Sequence, residues 1–351
     1  MRVLLTGHLG YLGTMLVPAL VAAGHQVTGL DTGLFADCVL GPPPADPPGF
    51  AVDLRDVTAR HVTGFDAVVH FAALSNDLLG SLAPALTYEI NHRASSRLAR
   101  LARDAGVHRF LYASTCAVYG SHGSAELVDE DAPLRPLTAY AESKARVEDS
   151  LWRLVDSDFS PTVLRNATAF GFSPRPRADI VLNNLVGHAV LTGIVKVLSD
   201  GTPWRPLVHA GDIAAAVVAV LGAPRDSVHA RAFNVGTEAN NRTVAEIAGS
   251  VAAAVPGAEL VITGETGADP RSYRVDFSRL RAAVPDFVAR WSIPAGAAEL
   301  AAAYRGHGLT ATAFDQRFTR LVRLVDRRAE GSVGADLRPI PVVVAPNRSG
   351  R

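Results

Sequence analysis

The stretch Thr6-Gly7-His8-Leu9-Gly10-Tyr11-Leu12-Gly13 joins a short apolar run to a helical pattern at about Tyr11–Ala23. Glycines between a strand and a helix allow a tight turn and a close approach of the backbone to a pyrophosphate, which the first N–H groups of the helix would face. A second apolar run, Gln26–Leu30, is followed by Asp31, whose carboxylate can accept hydrogen bonds from adenosine ribose hydroxyls. Since this carboxylate would repel a 2′-phosphate, the pattern predicts an NAD site rather than an NADP site.

Apolar and β-branched runs alternate with helical patterns through the first half of the chain. This alternation is typical of βαβ units and of a parallel sheet buried on both faces. The predicted fold class is therefore α/β, with a Rossmann-type doubly wound parallel sheet and a smaller C-terminal lobe. Strands are predicted at Val3–Thr6, Gln26–Leu30, Phe50–Val52, Ala67–Phe71, Phe110–Ala113 and Thr162–Arg165, and helices at about Tyr11–Ala23, Pro84–Ala105 and Thr138–Val155.

Beyond Gly171 the loops become longer and richer in proline and glycine, which indicates a smaller lobe interleaved with the end of the sheet. The expected division is an NAD-binding domain over residues 1–170, with elements returning near 195–235, a lobe over 171–327 and a partly ordered tail over 328–351. The lobe is predicted to contain helices at about Ile180–Thr192, Asp212–Leu221 and Thr243–Val255 and a strand near Val195–Leu198.

The composition excludes several classes of protein. Of the 351 residues, 48% are hydrophobic and 19% are charged, so a large core can form and a disordered chain is excluded. Lys plus Arg and Asp plus Glu each count 34, with no block of like charge that would bind nucleic acid or a membrane. The only cysteines, Cys38 and Cys116, are far apart, so we expect neither a disulfide framework nor a metal site. Without a signal-like or membrane-spanning stretch, we expect a cytoplasmic protein with a small-molecule partner.

Tyr140 and Lys144 are four residues apart in a helical pattern, so the phenol and the ammonium can meet on one helix face. A neighbouring cation lowers the pKa of a phenol, which is otherwise too weak a base at neutral pH. Tyr140 could then take a proton from an alcohol while a nicotinamide takes the hydride. Thr115 ends a predicted strand at the carboxyl edge of the sheet and can donate a hydrogen bond to the same substrate oxygen.

Together these motifs resemble the extended short-chain dehydrogenase/reductase superfamily, and more closely its NAD-dependent nucleotide-sugar epimerase/dehydratase family, over roughly residues 2–290. The resemblance implies that Asp53 and Leu54 flank the adenine of NAD. It also implies that Lys144 holds the nicotinamide ribose, with Thr115 and Tyr140 as the catalytic pair. The residues that it assigns to the cofactor, in addition to the glycine stretch and Asp31, are Asp53, Leu54, Phe71, Ala72, Ala73, Asn91, Tyr140 and Lys144.

The residues after Thr115 bear on the choice of reaction. Family members that eliminate water resemble one another in having an Asp-Glu pair there, because that reaction needs an additional acid and base. This chain has Cys116 and Ala117 instead, and it also lacks the glutamate that is usual in decarboxylases of the family. A 4-epimerase needs only one base and a transient 4-keto sugar. We therefore expect an NAD-dependent nucleotide-sugar epimerase that inverts C4.

The substrate residues are expected from similarity to segments that bind the nucleotide sugar in the family, which makes residues 171–327 a substrate-binding lobe. An arginine in such a segment suits a diphosphate through its bidentate fork. Thr168 stands where 4-epimerases of the family use an asparagine, and a lysine found in some of them near Asn76 is absent, so the nucleotide and the sugar stay open. The expected substrate-binding residues are Asn76, Thr115, Thr168, Asn183, Arg205 and Arg271.

Two alternatives stay open beside the epimerase. One is a nucleotide-sugar 4,6-dehydratase or another NAD-dependent sugar-nucleotide oxidoreductase. The other is a non-catalytic NAD-binding sensor or scaffold, which would have no need of Tyr140 as a base. The resemblance also implies a homodimer, because the helices at about Pro84–Ala105 and Thr138–Val155 correspond to those that form a four-helix interface in the family.

Overall fold

The computed structural model describes residues 1–75, 83–121, 127–265 and 271–340. Its strands are, in chain order, β1 (Arg2–Thr6), β2 (Gln26–Asp31), β3 (Gly49–Ala51), β4 (Ala67–His70), β5 (Arg109–Thr115), β6 (Leu127–Val128), β7 (Ser160–Asn166), β8 (Thr168–Phe170), β9 (Ile194–Val197), β10 (Trp204–His209), β11 (Arg231–Val235), β12 (Asn241–Thr243), β13 (Glu259–Ile262) and β14 (Arg274–Val275). Its α-helices are α1 (Gly13–Ala22), α2 (Pro84–Thr87), α3 (Ser95–Asp104), α4 (Ala139–Trp152), α5 (Val181–Thr192), α6 (Ala210–Gly222), α7 (Arg225–Val228), α8 (Val244–Ala254), α9 (Ser278–Ala283), α10 (Ile293–Gly306) and α11 (Arg320–Ala329).

A seven-stranded parallel sheet lies at the centre of the molecule, in the order β11-β7-β5-β4-β1-β2-β3. The chain starts in the middle of this sheet and winds outward in both directions, so that β1 lies between β2 and β4. At such a reversal of strand order the carboxyl ends of the strands open a crevice, which is where ligands bind in doubly wound sheets. The predicted α/β class and the Rossmann-type parallel sheet are confirmed.

Successive residues of the strands pack on opposite faces of the sheet, as strand geometry requires. Val3 and Leu5 join a core that includes apolar residues of α1 and α6. Leu4, between them, joins a core that includes residues of α3 and α4 on the other face. A separate core unites α5, α8 and α10 with β9. This last group lies beside the short sheets β12-β10-β8 and β13-β9, away from the central strands.

The helix expected over Pro84–Ala105 is interrupted. A π turn, Tyr88–Ala94, separates α2 from α3. The turn contains Asn91, whose side-chain amide bonds both the N–H and the carbonyl of Leu74, at 2.8 and 3.0 Å. Single π turns of this kind occur where a helix must present a particular side chain. Here Asn91 fixes the loop that follows β4.

Two helices near the C-terminus lie outside the sequence prediction. The first, α10, begins with Ser292, whose side chain accepts a hydrogen bond from the N–H of Ala295, and with a proline in its first turn. The second, α11, is followed by a turn in which Val333 pairs with Pro339. Leu337 in that turn is buried against Leu34. The chain therefore returns to the central sheet well after the last predicted helix.

No helix in the described ranges is both long enough and apolar enough to cross a membrane. The homodimer expected from the resemblance stays a prediction.

A buried ion pair fastens α4 to the sheet. Glu148 on α4 receives hydrogen bonds from Nε and Nη2 of Arg165 on β7, the shortest at 2.7 Å. Ser114 Oγ on β5 donates to the other carboxylate oxygen. Burial alone would lower the pKa of Arg165, but the carboxylate of Glu148 raises it above its ordinary value, so the guanidinium stays charged. Arg165 also donates to the hydroxyl of Tyr119.

We expect Glu148→Ala to lower the free energy of unfolding by about 3–5 kcal/mol, because it leaves the Arg165 cation buried without its partner. The matched control is Asp149→Ala, at an exposed position on the same helix, for which a change within about 0.5 kcal/mol is expected. Urea denaturation of both variants measures the difference. Equal stabilities would show that the pair does not fasten α4.

Candidate active site

The glycine turn after β1 leaves no room for side chains. Gly7 has a φ of +79°, and a Cβ built there would lie 2.7 Å from the backbone nitrogen of Ala72. A Cβ on Gly13 would lie 2.1 Å from the carbonyl oxygen of Gly7. The turn is therefore packed tightly between the beginning of α1 and the end of β4. It presents backbone and the amino end of a helix to the crevice, an arrangement suited to a pyrophosphate.

The carboxylate of Asp31 lies at the end of β2, beside this turn. One oxygen accepts the N–H of Leu9 at 3.1 Å, and the other accepts the N–H of Gly33 at 2.9 Å. These bonds fix the side chain at the edge of the crevice, where it can accept ribose hydroxyls. A glycine cradle without room for a Cβ and an adjoining carboxylate together fit NAD.

The crevice forms a cavity of about 870 Å³, a size within the range of ligand sites. It brings together residues expected to bind the cofactor, residues expected to bind the substrate and the three expected catalytic residues. The expected residues that line it are Gly7, Leu9, Gly10, Tyr11, Leu12, Gly13, Asp31, Asp53, Leu54, Phe71, Ala72, Ala73, Thr115, Tyr140, Lys144, Thr168, Arg205 and Arg271.

Three expected site residues are not placed in the cavity wall. Asn91 is buried and bonds Leu74, so it orients a lining segment rather than facing the cavity itself. Asn183 is also buried, and its side chain bonds the N–H of Gly171 and the carbonyl of Arg177. The next residue, Asn184, lines the cavity instead. Asn76 lies outside the described residues.

Asp53 is bound by a neighbouring arginine. Its carboxylate receives hydrogen bonds from Nε and Nη2 of Arg55, at 2.9 and 2.7 Å, and from the Arg55 N–H. Burial alone would raise the pKa of Asp53, but these hydrogen bonds bring it below its usual value. Asp53 is therefore ionised and fixed in orientation at the same end of the cavity as Asp31.

Thr115, Tyr140 and Lys144 come from two adjacent elements. Thr115 ends β5, and the other two lie in the first turns of α4, which begins where the Thr138 side chain accepts the N–H of Ala141. Lys144 Nζ donates to the carbonyl of Ala113 at 2.7 Å and lies 5.8 Å from the centre of the Tyr140 ring. The ammonium thus joins the end of β5 to the phenol, as expected from the spacing in sequence.

Burial lowers the pKa of Lys144 to about 7. The side chain is almost fully buried, and within the described parts of the chain its hydrogen bond goes to the neutral carbonyl of Ala113. A buried ammonium without a close anion loses hydration that is only partly replaced. Hydroxyl groups or a negative charge on a ligand in the cavity would therefore stabilise the ammonium form of Lys144.

The structure also tests several residues that the sequence leaves outside the site. His70 is fully buried between the hydroxyls of Thr6 and Ser95, at 2.6 and 2.8 Å, so it is a hydrogen-bonded core residue. Cys116 is buried, with its thiol directed at the carbonyl of Arg165. Burial raises the pKa of this thiol, so it is a neutral core group that does not line the cavity.

Asp212, the first residue of a predicted helix, lies in the first turn of that helix and does not cap it. The helix α6 is capped by His209, whose Nδ1 accepts the N–H of Gly211 at 3.1 Å. Asp212 instead accepts the backbone N–H groups of Arg290 and Trp291, at 3.0 and 3.1 Å. Its carboxylate therefore fixes the loop before α10. Only the fold brings that loop within reach, so the sequence could not indicate it.

Sequence reasoning missed a charged pair in the cavity wall. Arg177 donates from Nε and Nη2 to the carboxylate of Asp179, at 2.9 and 3.0 Å, and from Nη1 to Ser75. Both members of the pair line the cavity. They belong to a proline-rich loop after β8 that resembles no motif, and the signal that could have found them is the density of arginine in Ser173–Asp179.

A glycine turn, a carboxylate after β2 and a Tyr–Lys pair in one cavity define a dinucleotide-dependent α/β enzyme. The chain belongs to the NAD dependent epimerase/dehydratase family, whose sequence profile matches residues 3–236. The UDP-glucose 4-epimerase of Corynebacterium glutamicum is 30% identical over 254 residues, which are 68% of this chain and 75% of the relative.

Solved structures agree with this family. MoeE5 in complex with UDP-glucose and NAD superposes with a TM-score of 0.75 at 26% identity, over 88% of this chain and 100% of that chain. The NAD-dependent NDP-hexosamine 5,6-dehydratase TunA superposes with a TM-score of 0.77 at 22% identity, over 87% of this chain and 98% of that chain, a likeness that shows the fold alone. NAD is therefore the cofactor of this enzyme. Epimerases and dehydratases both occur among its relatives and neighbours.

The pKa of Lys144 predicts a dependence of stability on pH. Because the pKa is about 7 in the folded protein and about 10.4 in an unfolded chain, the unfolded state binds more protons between these values. The free energy of unfolding of the NAD-free protein should therefore rise with pH, by about 2 kcal/mol from pH 7 to pH 9 for this group. Lys144→Met should lack that increment.

Denaturant unfolding of both proteins at several pH values measures the difference, and the curve of Lys144→Met is the control because it contains every titrating group except Lys144. Parallel dependences on pH would contradict the low pKa of Lys144.

Proposed function

We propose that this enzyme is a nucleotide-sugar epimerase that inverts C4 through a transient 4-keto sugar. The observation that carries the proposal is the placement of Thr115, Tyr140 and Lys144 in one cavity without a carboxylate after Thr115. The similarity to UDP-glucose 4-epimerases at 30% identity supports it.

The distribution of carboxylates favours epimerisation over dehydration. Dehydration needs an acid and a base beyond the group that serves the C4 hydroxyl. In the described part of the cavity wall the carboxylates are Asp31, Asp53 and Asp179. The first two lie at the end expected to hold the adenosine. Burial alone would raise the pKa of Asp179, but the Arg177 cation holds it below its usual value, so this carboxylate is a poor proton donor.

When bound, NAD supplies the acceptor for the C4 hydride and the donor that returns it. Tyr140 takes the proton from the C4 hydroxyl and gives it back to the same oxygen after the sugar has turned over. The Lys144 ammonium favours the phenolate form of Tyr140 through its positive charge. Thr115 Oγ1 is a hydrogen-bonding group at the end of β5 that orients this oxygen.

The far end of the cavity is suited to a nucleotide diphosphate. Arg205 and Arg271 both line it, and Arg205 Nη1 donates to the carbonyls of Arg271 and Trp204. The Arg205 guanidinium is thus bound to the backbone of Arg271, which brings the two cationic residues together in the cavity wall. A diphosphate between them would receive charge-assisted hydrogen bonds. Thr168 begins β8, two residues after Asn166, which pairs with Thr115, and it lines the same cavity, where the sugar would bind.

The test is incubation of the purified enzyme with UDP-, dTDP-, GDP-, CDP- and ADP-sugars in deuterated water, followed by NMR of the products and absorbance at 340 nm. We expect a C4 epimer of one of these sugars without incorporated deuterium and without net NADH, because the hydride returns to the carbon that it left. Deuterium at C5 with loss of the C6 hydroxyl would establish dehydration instead. Absence of turnover with every sugar would support a binding protein.

Tyr140→Phe should lower kcat by about 10²–10⁴-fold on the sugar identified in this way, since it removes the group that moves the proton. NAD content is measured on the same preparations, so that loss of proton transfer is distinguished from loss of cofactor. The matched control is Tyr88→Phe, whose hydroxyl donates to Glu142 and which does not line the cavity. Wild-type turnover by Tyr140→Phe would exclude Tyr140 as the base.

A further inference from the structure

The amino end of α11 forms part of the cavity wall. Thr319 and Arg320, where this helix begins, both line the cavity. Thr319 Oγ1 donates to the carbonyl of Phe314 at 3.0 Å and does not cap the helix. The segment lies well beyond residues 3–236, the part of the chain that the family profile matches. The amino end of a ten-residue helix carries a partial positive charge, which favours an anion in front of it.

Arg320 is a buried cation with an unused hydrogen-bond donor. Its residue surface is only 3% exposed. Nη2 donates to the carbonyls of Arg175 and Pro176, at 3.3 and 3.1 Å, and the guanidinium lies 4.7 Å from the centre of the Phe35 ring. Nη1 is buried and has no hydrogen-bond partner among the described residues. Leaving a buried charge unpaired is costly, so an anion at this position would be strongly favoured.

No carboxylate of the described residues forms an ion pair with Arg320. The nearby carboxylate of Asp179 is already engaged by Nε and Nη2 of Arg177. The thiol of Cys38 also lies close to Arg320, but burial raises its pKa, so it stays neutral. Two guanidinium groups thus face one carboxylate in this part of the wall. A negatively charged ligand would compensate the excess positive charge of Arg177 and Arg320.

The position of Arg320 identifies which ligand group it would meet. Arg320 binds the carbonyls of Arg175 and Pro176, in the loop after β8. In the same loop, the hydroxyl of Ser173 accepts the N–H of Arg175 and donates to the carbonyl of Tyr11 at 2.8 Å. Tyr11 precedes α1, at the glycine turn. On the other side, Phe35 follows Asp31 in the loop after β2. Arg320 is therefore linked through Arg175 and Ser173 to the residue that precedes α1, it contacts the loop that follows Asp31, and it lines the same cavity as the glycine turn.

We propose that Arg320 binds the pyrophosphate of NAD, so that the cofactor is enclosed between the glycine turn and the amino end of α11. A planar guanidinium with a free Nη1 suits phosphate oxygens. The rest of α11 holds this side chain in place. Arg323 and Arg327 pair with Asp37 in the loop after β2, at 2.7 and 2.9 Å, and Leu324 packs with the core around Leu34. The proposal rests on the cofactor and is independent of which sugar is converted.

The test compares the dissociation constants of NAD, ADP-ribose and UDP for Arg320→Gln and for the wild type. We expect NAD and ADP-ribose, which share the pyrophosphate, to bind about 10–100-fold more weakly to the variant, the loss typical of one charge-assisted hydrogen bond. UDP binding to NAD-saturated protein should be unchanged. The NAD-free variant should lose some thermal stability with the Nη2 hydrogen bonds to Arg175 and Pro176, so the deciding readout is weaker NAD and ADP-ribose binding with unchanged UDP binding.

Two further variants make the outcome decisive. Arg328→Gln, at an exposed position on the same helix, should bind all three ligands as the wild type does. Arg320→Lys should restore part of the lost NAD affinity, since it keeps the charge and loses the planar fork. Unchanged NAD affinity with weaker UDP binding would assign Arg320 to the substrate and overturn the proposal. Equal weakening of all three ligands with a lower thermal stability would show a structural role and would overturn it as well.

Discussion

The buried ion pair between Glu148 and Arg165 is the interaction on which the geometry of the cavity depends. Glu148 lies one helical turn after Lys144 and two turns after Tyr140. The same carboxylate accepts the hydroxyl of Ser114, the residue before Thr115. The strand end that carries Thr115 and the helix that carries the Tyr–Lys pair are thus fastened to one buried group. Sliding or turning α4 would separate two charges in an apolar core, at a cost of several kcal/mol, so Lys144 stays at the carbonyl of Ala113.

Local spacing accounts for the parts of the fold and site that could be predicted from the sequence. A glycine turn with Asp31 at the end of the next strand, and a tyrosine four residues before a lysine, each depend on residues close together in the chain. Their placement follows from helix and strand geometry. The offset between Asn183 and Asn184 shows where such reasoning fails. Successive residues of a helix point about 100° apart, so the residue next to the expected one faces the cavity.

The parts that could not be predicted depend on contacts between distant segments. Arg320 is significant only because the fold brings α11 to the glycine turn, more than 300 residues earlier in the chain. In sequence it is one arginine among several in an amphipathic helix. Asp212 likewise has a local interpretation, as a helix cap, that its contact with Arg290 and Trp291 overrides. A polar side chain near a helix start has several possible partners, and the tertiary structure decides which one it meets.

The charges of the cavity are arranged by ligand group. Carboxylates occupy the end expected to hold the adenosine, where Asp31 and Asp53 would meet hydroxyl and base groups that carry no charge. Arginines line the parts expected to hold phosphates, with Arg320 at the amino end of α11 and Arg205 and Arg271 where the nucleotide diphosphate is proposed to bind. Between them the reacting centre has Lys144, whose pKa is lowered to about 7 by burial, and Asp179, which Arg177 neutralises. Elimination of water would need a further proton donor and acceptor beside the sugar. Cys116, the residue next to Thr115, is a buried neutral thiol directed away from the cavity, so the arrangement supports inversion at C4 in preference to dehydration.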